Sequence, residues 1–206
     1  MDVSALTAGE AALVHLSAAL ATRDQAGVDG ALRRALADAD GEAVEEALLQ
    51  SYLFLGYPAA LNAFARWRAL SGRPASAETD PPGSWAERGE AVCREVYAGQ
   101  YEGLRANVGA LHADMERWMV VEGYGKVLGR PGLPLDTREL CIVALLAVQD
   151  VPRQLYSHLR GSLNVGASTA RVEQTLAEAL PLCSDGARAR ALETWAAVQG
   201  RAGGKD

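Results

Sequence analysis

Residues 140–148 read LCIVALLAV, nine apolar positions without a break. A helix that is apolar on every side has no face to offer water, so other helices must enclose it. At about 1.5 Å per residue such a run is far too short for a bilayer core of about 30 Å. The run therefore calls for a soluble fold in which several helices wrap one of their number.

The rest of the chain can supply those helices. Apolar residues make up 49% of the sequence, enough for a sizeable core. They recur at helical spacing, and no segment alternates in the manner of a strand. Thr7 with Glu10, and Asp136 with Glu139, have the spacing of capping boxes. Pro58 and Pro152 suit first helical turns, and Gly72, Gly166 and Gly200 follow helical patterns as stops. The pattern predicts helices over 8–21, 25–38, 41–55, 58–71, 86–98, 99–122, 137–149, 152–164, 169–180 and 185–199. The expected fold class is all-α.

Pro, Gly, Ser and acidic residues crowd positions 72–85, which read as a linker. A weak internal repeat spans it. The stretch from Thr7 and the stretch from Leu135 each hold an apolar helix, a short turn, a helix with leucines four apart, and a third helix. The expectation is a single domain over 1–206, with half-repeats at about 5–71 and 86–200.

Several function classes are disfavoured. A net charge of −6 with scattered arginines offers no footprint for nucleic acid. The opening MDVSALTAGE lacks a basic region followed by a long apolar one, so no signal peptide or membrane role is expected. Cys93, Cys141 and Cys183 are odd in number, far apart and free of any C-x-x-C, which argues for a reducing, cytoplasmic compartment. Cys141, inside the apolar run, reads as a small hydrophobe. The three histidines offer no ligand pair at metal-site spacing, and GRPG at 129–132 is a turn, not a phosphate loop. Neither metal nor cofactor is expected.

One candidate site emerges from counting. The apolar helix ends at Gln149-Asp150 and Pro152 opens the next, so the two should run antiparallel. Glu139 and His158 then stand at heights that differ by only about 5 Å. Gln154 lies one turn before His158 on the same face. A carboxylate, an amide and an imidazole would border a core, where pKa values shift and chemistry concentrates. Plainer readings exist. Glu139 can close a capping box, and His158 can bond a backbone carbonyl. His15 reads as core, and His112 as a solvated face.

The segment EGYGKVLGRPGLPLDTREL, followed by RQLYSHLRGSLNVGAS, resembles the carboxymuconolactone decarboxylase family, and the earlier EEALLQSYLFLGYPAALNAF resembles its other characteristic stretch. The resemblance implies the alkylhydroperoxidase D-like helical fold. Peroxidase-type members of that superfamily use a glutamate, a C-x-x-C pair and a histidine. Glu139 and His158 match two of these, but Val151 and Gln154 stand where the cysteines would be. Thiol peroxidase chemistry needs an attacking and a resolving thiol, so it should be absent. Decarboxylase-type chemistry needs a carboxylate anchor, an oxyanion donor and a general acid. The resemblance implies Arg153 as anchor, Gln154 as donor, His158 as the proton-transferring group held by Glu139, and Tyr124 as a further substrate-binding donor. The substrate would be a small organic acid or lactone, handled without a cofactor. A homo-oligomer is expected, with helices 58–71 and 137–149 near the subunit contacts. The alternatives are a non-catalytic oligomer that keeps the fold, or an alkylhydroperoxidase D-like protein without thiol peroxidase activity.

Overall fold

The computed structural model describes residues 5–76 and 80–202. Residues 77–79, in the expected linker, and both ends of the expected domain lie outside the described residues, as does the start of the N-terminal stretch read for targeting.

Among the described residues there are eleven α-helices, one π-helical segment, three short 3₁₀ turns and no strand. The helices are α1 (Ala8–Thr22), α2 (Gln25–Asp38), α3 (Gly41–Leu55), α4 (Tyr57–Ser71), α5 (Trp85–Tyr97), α6 (Tyr101–Leu111), α7 (Ala113–Trp118), α8 (Leu135–Gln149), α9 (Pro152–Asn164), α10 (Thr169–Ala179) and α11 (Asp185–Ala202). The π segment is Met119–Leu128, between α7 and α8. None of the helices is long and apolar enough to cross a membrane.

α8 occupies the centre. Every residue from Thr137 to Ala147 is buried, as a helix with no polar face requires. It packs against α1, α9, α10 and α11. α1 crosses it and carries α2 and α3, while α8 carries α9 and α10. α8 is thus enclosed inside its own chain, with Val148 and Gln149 at its end only partly buried. α4 remains available, with Tyr57 59% and Leu61 62% exposed.

Local chemistry sets the ends. Thr7 and Glu10 form the predicted capping box on α1. The predicted box at Asp136 and Glu139 does not form. α8 begins at Leu135 after Pro134; the Asp136 carboxylate accepts from the Thr137 amide and from Arg171, and Glu139 turns inward. Gly72 and Gly166 take positive φ at helix ends, but α11 runs through Gly200 to Ala202. His112 is exposed and caps α7, its Nδ1 accepting from the Asp114 amide at 3.0 Å. His15, expected in the core, is only half-buried and faces Glu178 at 3.3 Å.

The largest departure is at 99–122. Instead of one helix, the chain forms α6, α7 and then the π segment, in which the Gly129 amide donates to the Tyr124 carbonyl five residues back. The reason is the approach of α5. A Cβ on Gly125 would lie 1.9 Å from the Trp85 carbonyl oxygen. Only glycine lets the two backbones meet there.

A buried ion cluster ties α3 to α8. The Arg138 guanidinium is fully buried and donates to Glu46 at 2.8 Å and to the carbonyls of Leu133, Arg130 and Pro131. Arg130 meets the other side of Glu46 at 3.0 Å.

Candidate functional site

The α8–α9 hairpin turns on Asp150, which adopts the left-handed conformation with φ 60° and pairs with Arg190. Asp tolerates that conformation better than most residues. Pro152 then starts α9 in its first turn. This brings Glu139, which is 0% exposed, to His158, which is 7% exposed: Nδ1 lies 2.8 Å from Oε2. A carboxylate oxygen accepts, so the contact places the imidazole proton on Nδ1 and leaves a lone pair on Nε2.

Three elements hold the pair. α9 is anchored to α5 by Asn164, whose Nδ2 donates to the Val96 carbonyl at 2.8 Å. Gln149 donates to the Phe54 carbonyl at 3.0 Å, which fixes the end of α3 beside the hairpin. The Phe54 ring then meets the His158 ring edge-on at 5.9 Å. On α9 itself, a Cβ on Gly161 would lie 2.8 Å from Glu139 Oε2 and 2.8 Å from Val96 Cγ1. The glycine makes room for the carboxylate.

Behind the pair lies a polar interior. Tyr124, on the π segment, donates to the Tyr97 hydroxyl at 3.1 Å. Burial, reinforced by the Glu139 charge, pushes both phenols well above their ordinary range. Cys93 is buried nearby and burial pushes its thiol up to about 12. Glu139 Oε1 is buried with no hydrogen-bond partner. Such an acceptor in a low-dielectric interior is costly unless something pairs with it.

The other expected residues stand elsewhere. Gln154 and Arg153 are exposed on the first turn of α9. The turn that buries His158 comes later, so Gln154 shares its face without sharing its burial. Tyr124 is in the interior near Glu139, but its hydroxyl is committed to Tyr97. Sequence reasoning passed over Tyr97, Phe54 and Cys93. The spacing Cys93–Tyr97, one helical turn, was the signal available.

Among the described residues, no three His, Cys, Asp or Glu side chains gather as metal ligands would. Cys141 is buried and also raised to about 12, and Cys183 is buried and raised by the same cause. None of the three has the character of an activated thiolate.

The segment that carries the π helix, α8, α9, α10 and most of α11 matches the family model described as the carboxymuconolactone decarboxylase family, over residues 115–197. That match covers 83 of the 206 residues. It contains Tyr124, Glu139, Gln154 and His158, whereas Phe54, Cys93 and Tyr97 reach the pair from outside it. The stretch around GYPAALNA also lies outside the matched residues. The all-α architecture accords with the alkylhydroperoxidase D-like fold of the decarboxylase family. A curated relative, Peroxisomal protein 2 of Schizosaccharomyces pombe, is 29% identical over 135 residues. The match covers 63% of this chain and 63% of the relative's own length.

Proposed function

We propose that the protein is a cofactor-free acid–base enzyme acting on a small organic acid or lactone, with His158 transferring the proton and Glu139 as its positioning residue. The observation that carries this reading is the buried 2.8 Å Glu139–His158 contact on a family-matched segment. A decarboxylation in such a site releases carbon dioxide and leaves an enolate; His158 Nε2 would first take up a proton from water, with Glu139 stabilising the imidazolium, and would then deliver it to carbon. Arg153, exposed one turn and a half before His158, is the cation available to a substrate carboxylate arriving from solvent. Val151 and Gln154 leave the hairpin without thiols, so the peroxidase chemistry of related proteins has no nucleophile here.

The exposed position of Gln154, away from the buried pair, favours a second reading: a non-catalytic helical protein that keeps the pair as a structural element. Incubation with γ-carboxymuconolactone, with carbon dioxide release measured, separates the two. The enzyme reading expects turnover that His158→Ala lowers by about two to four orders of magnitude with the helices intact. It also expects no dithiol-coupled peroxide reduction. Full activity in His158→Ala, or peroxide turnover abolished by alkylating the cysteines, overturns it. We also infer that α1–α3 and α8–α10 are related half-repeats meeting at the α1–α8 crossing. The protein is further inferred to assemble through α4, in the cytoplasm.

A further inference from the structure

A second polar feature lies on the opposite side of the π segment from Tyr124. A cleft of about 990 Å³ opens between α3, α4, the start of α5 and the π segment. Its acidic groups are largely spent. Glu45 is met by both Arg68 and Arg73, and its neighbour Glu46 by both Arg130 and Arg138. Asp80 is held by Arg88 and by the Trp85 indole. The described lining holds four carboxylates, Glu42, Glu45, Glu46 and Asp80, against four cations, Arg68, Arg73, Arg130 and Lys126, with Arg88 and Arg138 meeting Asp80 and Glu46 from behind.

Into this cleft comes Lys126. No described carboxylate pairs with it. Its ammonium instead lies 5.3 Å from the Trp85 ring centroid and 5.8 Å from that of Tyr52. Ring faces stabilise an ammonium but supply no counter-ion. The Tyr52 hydroxyl is itself buried with no hydrogen-bond partner of regular geometry, and burial raises it while the Lys126 charge opposes the rise. Glu42 at the rim and Glu122 on the π segment are the acidic groups with no described ion pair, and both are exposed to water. Aromatic walls around one cation that no described carboxylate neutralises, in a cleft of ligand size, match the composition of small-molecule sites. A π helix is itself a rare geometry that recurs at functional sites.

We propose that this cleft binds a small organic carboxylate with a flat apolar body, its charged end on Lys126 and its body against the Trp85 and Tyr52 rings. The site is separate from the Glu139–His158 pair, and it stands or falls independently of the activity assigned there.

Benzoate is the probe, with benzamide as its uncharged counterpart and inorganic phosphate as a compact anion. Titration of the full chain is followed by calorimetry and by the Trp85 indole N–H resonance, assigned by its loss in Trp85→Phe. Benzoate is expected to saturate and to move that resonance in the native protein, while benzamide and phosphate do not saturate. Lys126→Gln should weaken benzoate by about tenfold or more, Lys126→Arg should restore it, and His158→Ala should leave it unchanged. Absence of saturation by benzoate, a Trp85 resonance that stays in place, phosphate binding as tight as benzoate, or native affinity in Lys126→Gln overturns the proposal. The resonance readout needs no Lys126 variant, so a failure of that variant to fold leaves the test intact.

Discussion

At the residue scale, the position with the sharpest consequence is Gly161. Its missing side chain is the space in which the Glu139 carboxylate meets His158. Gly161→Ala keeps a helix-compatible residue on α9, so helix formation itself is favoured. The added methyl has Val96 on one side and Glu139 on the other, both in the core, and overpacking of that kind costs about 1–3 kcal/mol. The expected outcome is a folded protein whose low-field His158 Nδ1 proton resonance is shifted or lost, and whose turnover on any substrate falls toward that of Glu139→Gln. A native resonance and native urea midpoint in Gly161→Ala would show that the carboxylate sits elsewhere. Glu139→Gln is expected to cost no helix cap, because the Asp136–Glu139 box does not form. Any stability it loses comes from the buried contact itself.

At the element scale, the helix ladder was largely readable and its exceptions have identifiable causes. The predicted spans 25–38, 41–55 and 152–164 coincide with α2, α3 and α9, because each is opened by an Asp cap or a proline and closed by a turn signal. The closeness of Glu139 and His158 followed from counting along a short hairpin. The π segment did not follow, since its register depends on α5 approaching at Gly125, a tertiary fact with no period of its own. The exposure of Gln154 was hidden for a related reason. Periodicity assigns a face but not how deep each turn of that face lies. Arg138 escaped notice because a buried guanidinium is legible only with its partners, which come from α3 and the turn before α8. A second ion cluster binds α3 to α4 and gives a pH signature. The Arg68 guanidinium foremost, against the opposing desolvation, holds the Glu45 carboxyl down to about 2 from an ordinary 4.5. Its contribution to stability is therefore complete above about pH 4.5 and is lost as pH falls through about 2. Chemical denaturation between those values should show a loss of stability that is diminished in Glu45→Gln. A Glu45→Gln variant with an unchanged acid slope would mean that other carboxylates govern that window.

At the scale of the whole molecule, the surfaces left apolar lie away from the centre. Tyr57 and Leu61 stand one turn apart on α4, and Leu111, Met115 and Trp118 are exposed around the α6–α7 junction. Exposed apolar groups that stand together, as Tyr57 and Leu61 do on α4, mark contact surfaces. Light scattering at micromolar concentration should report a multimer, and Leu61→Glu should shift it toward the monomer; a native monomer would remove the assembly inferred through α4. The enclosure of α8 has a different kind of consequence, one of time. A helix packed on all sides cannot open without its neighbours opening first. Its amides between Leu140 and Ala147 have no local route to exchange with deuterium, so their protection reports the global unfolding free energy. Glu139, one residue earlier on the same helix, stays in place for as long as the fold does.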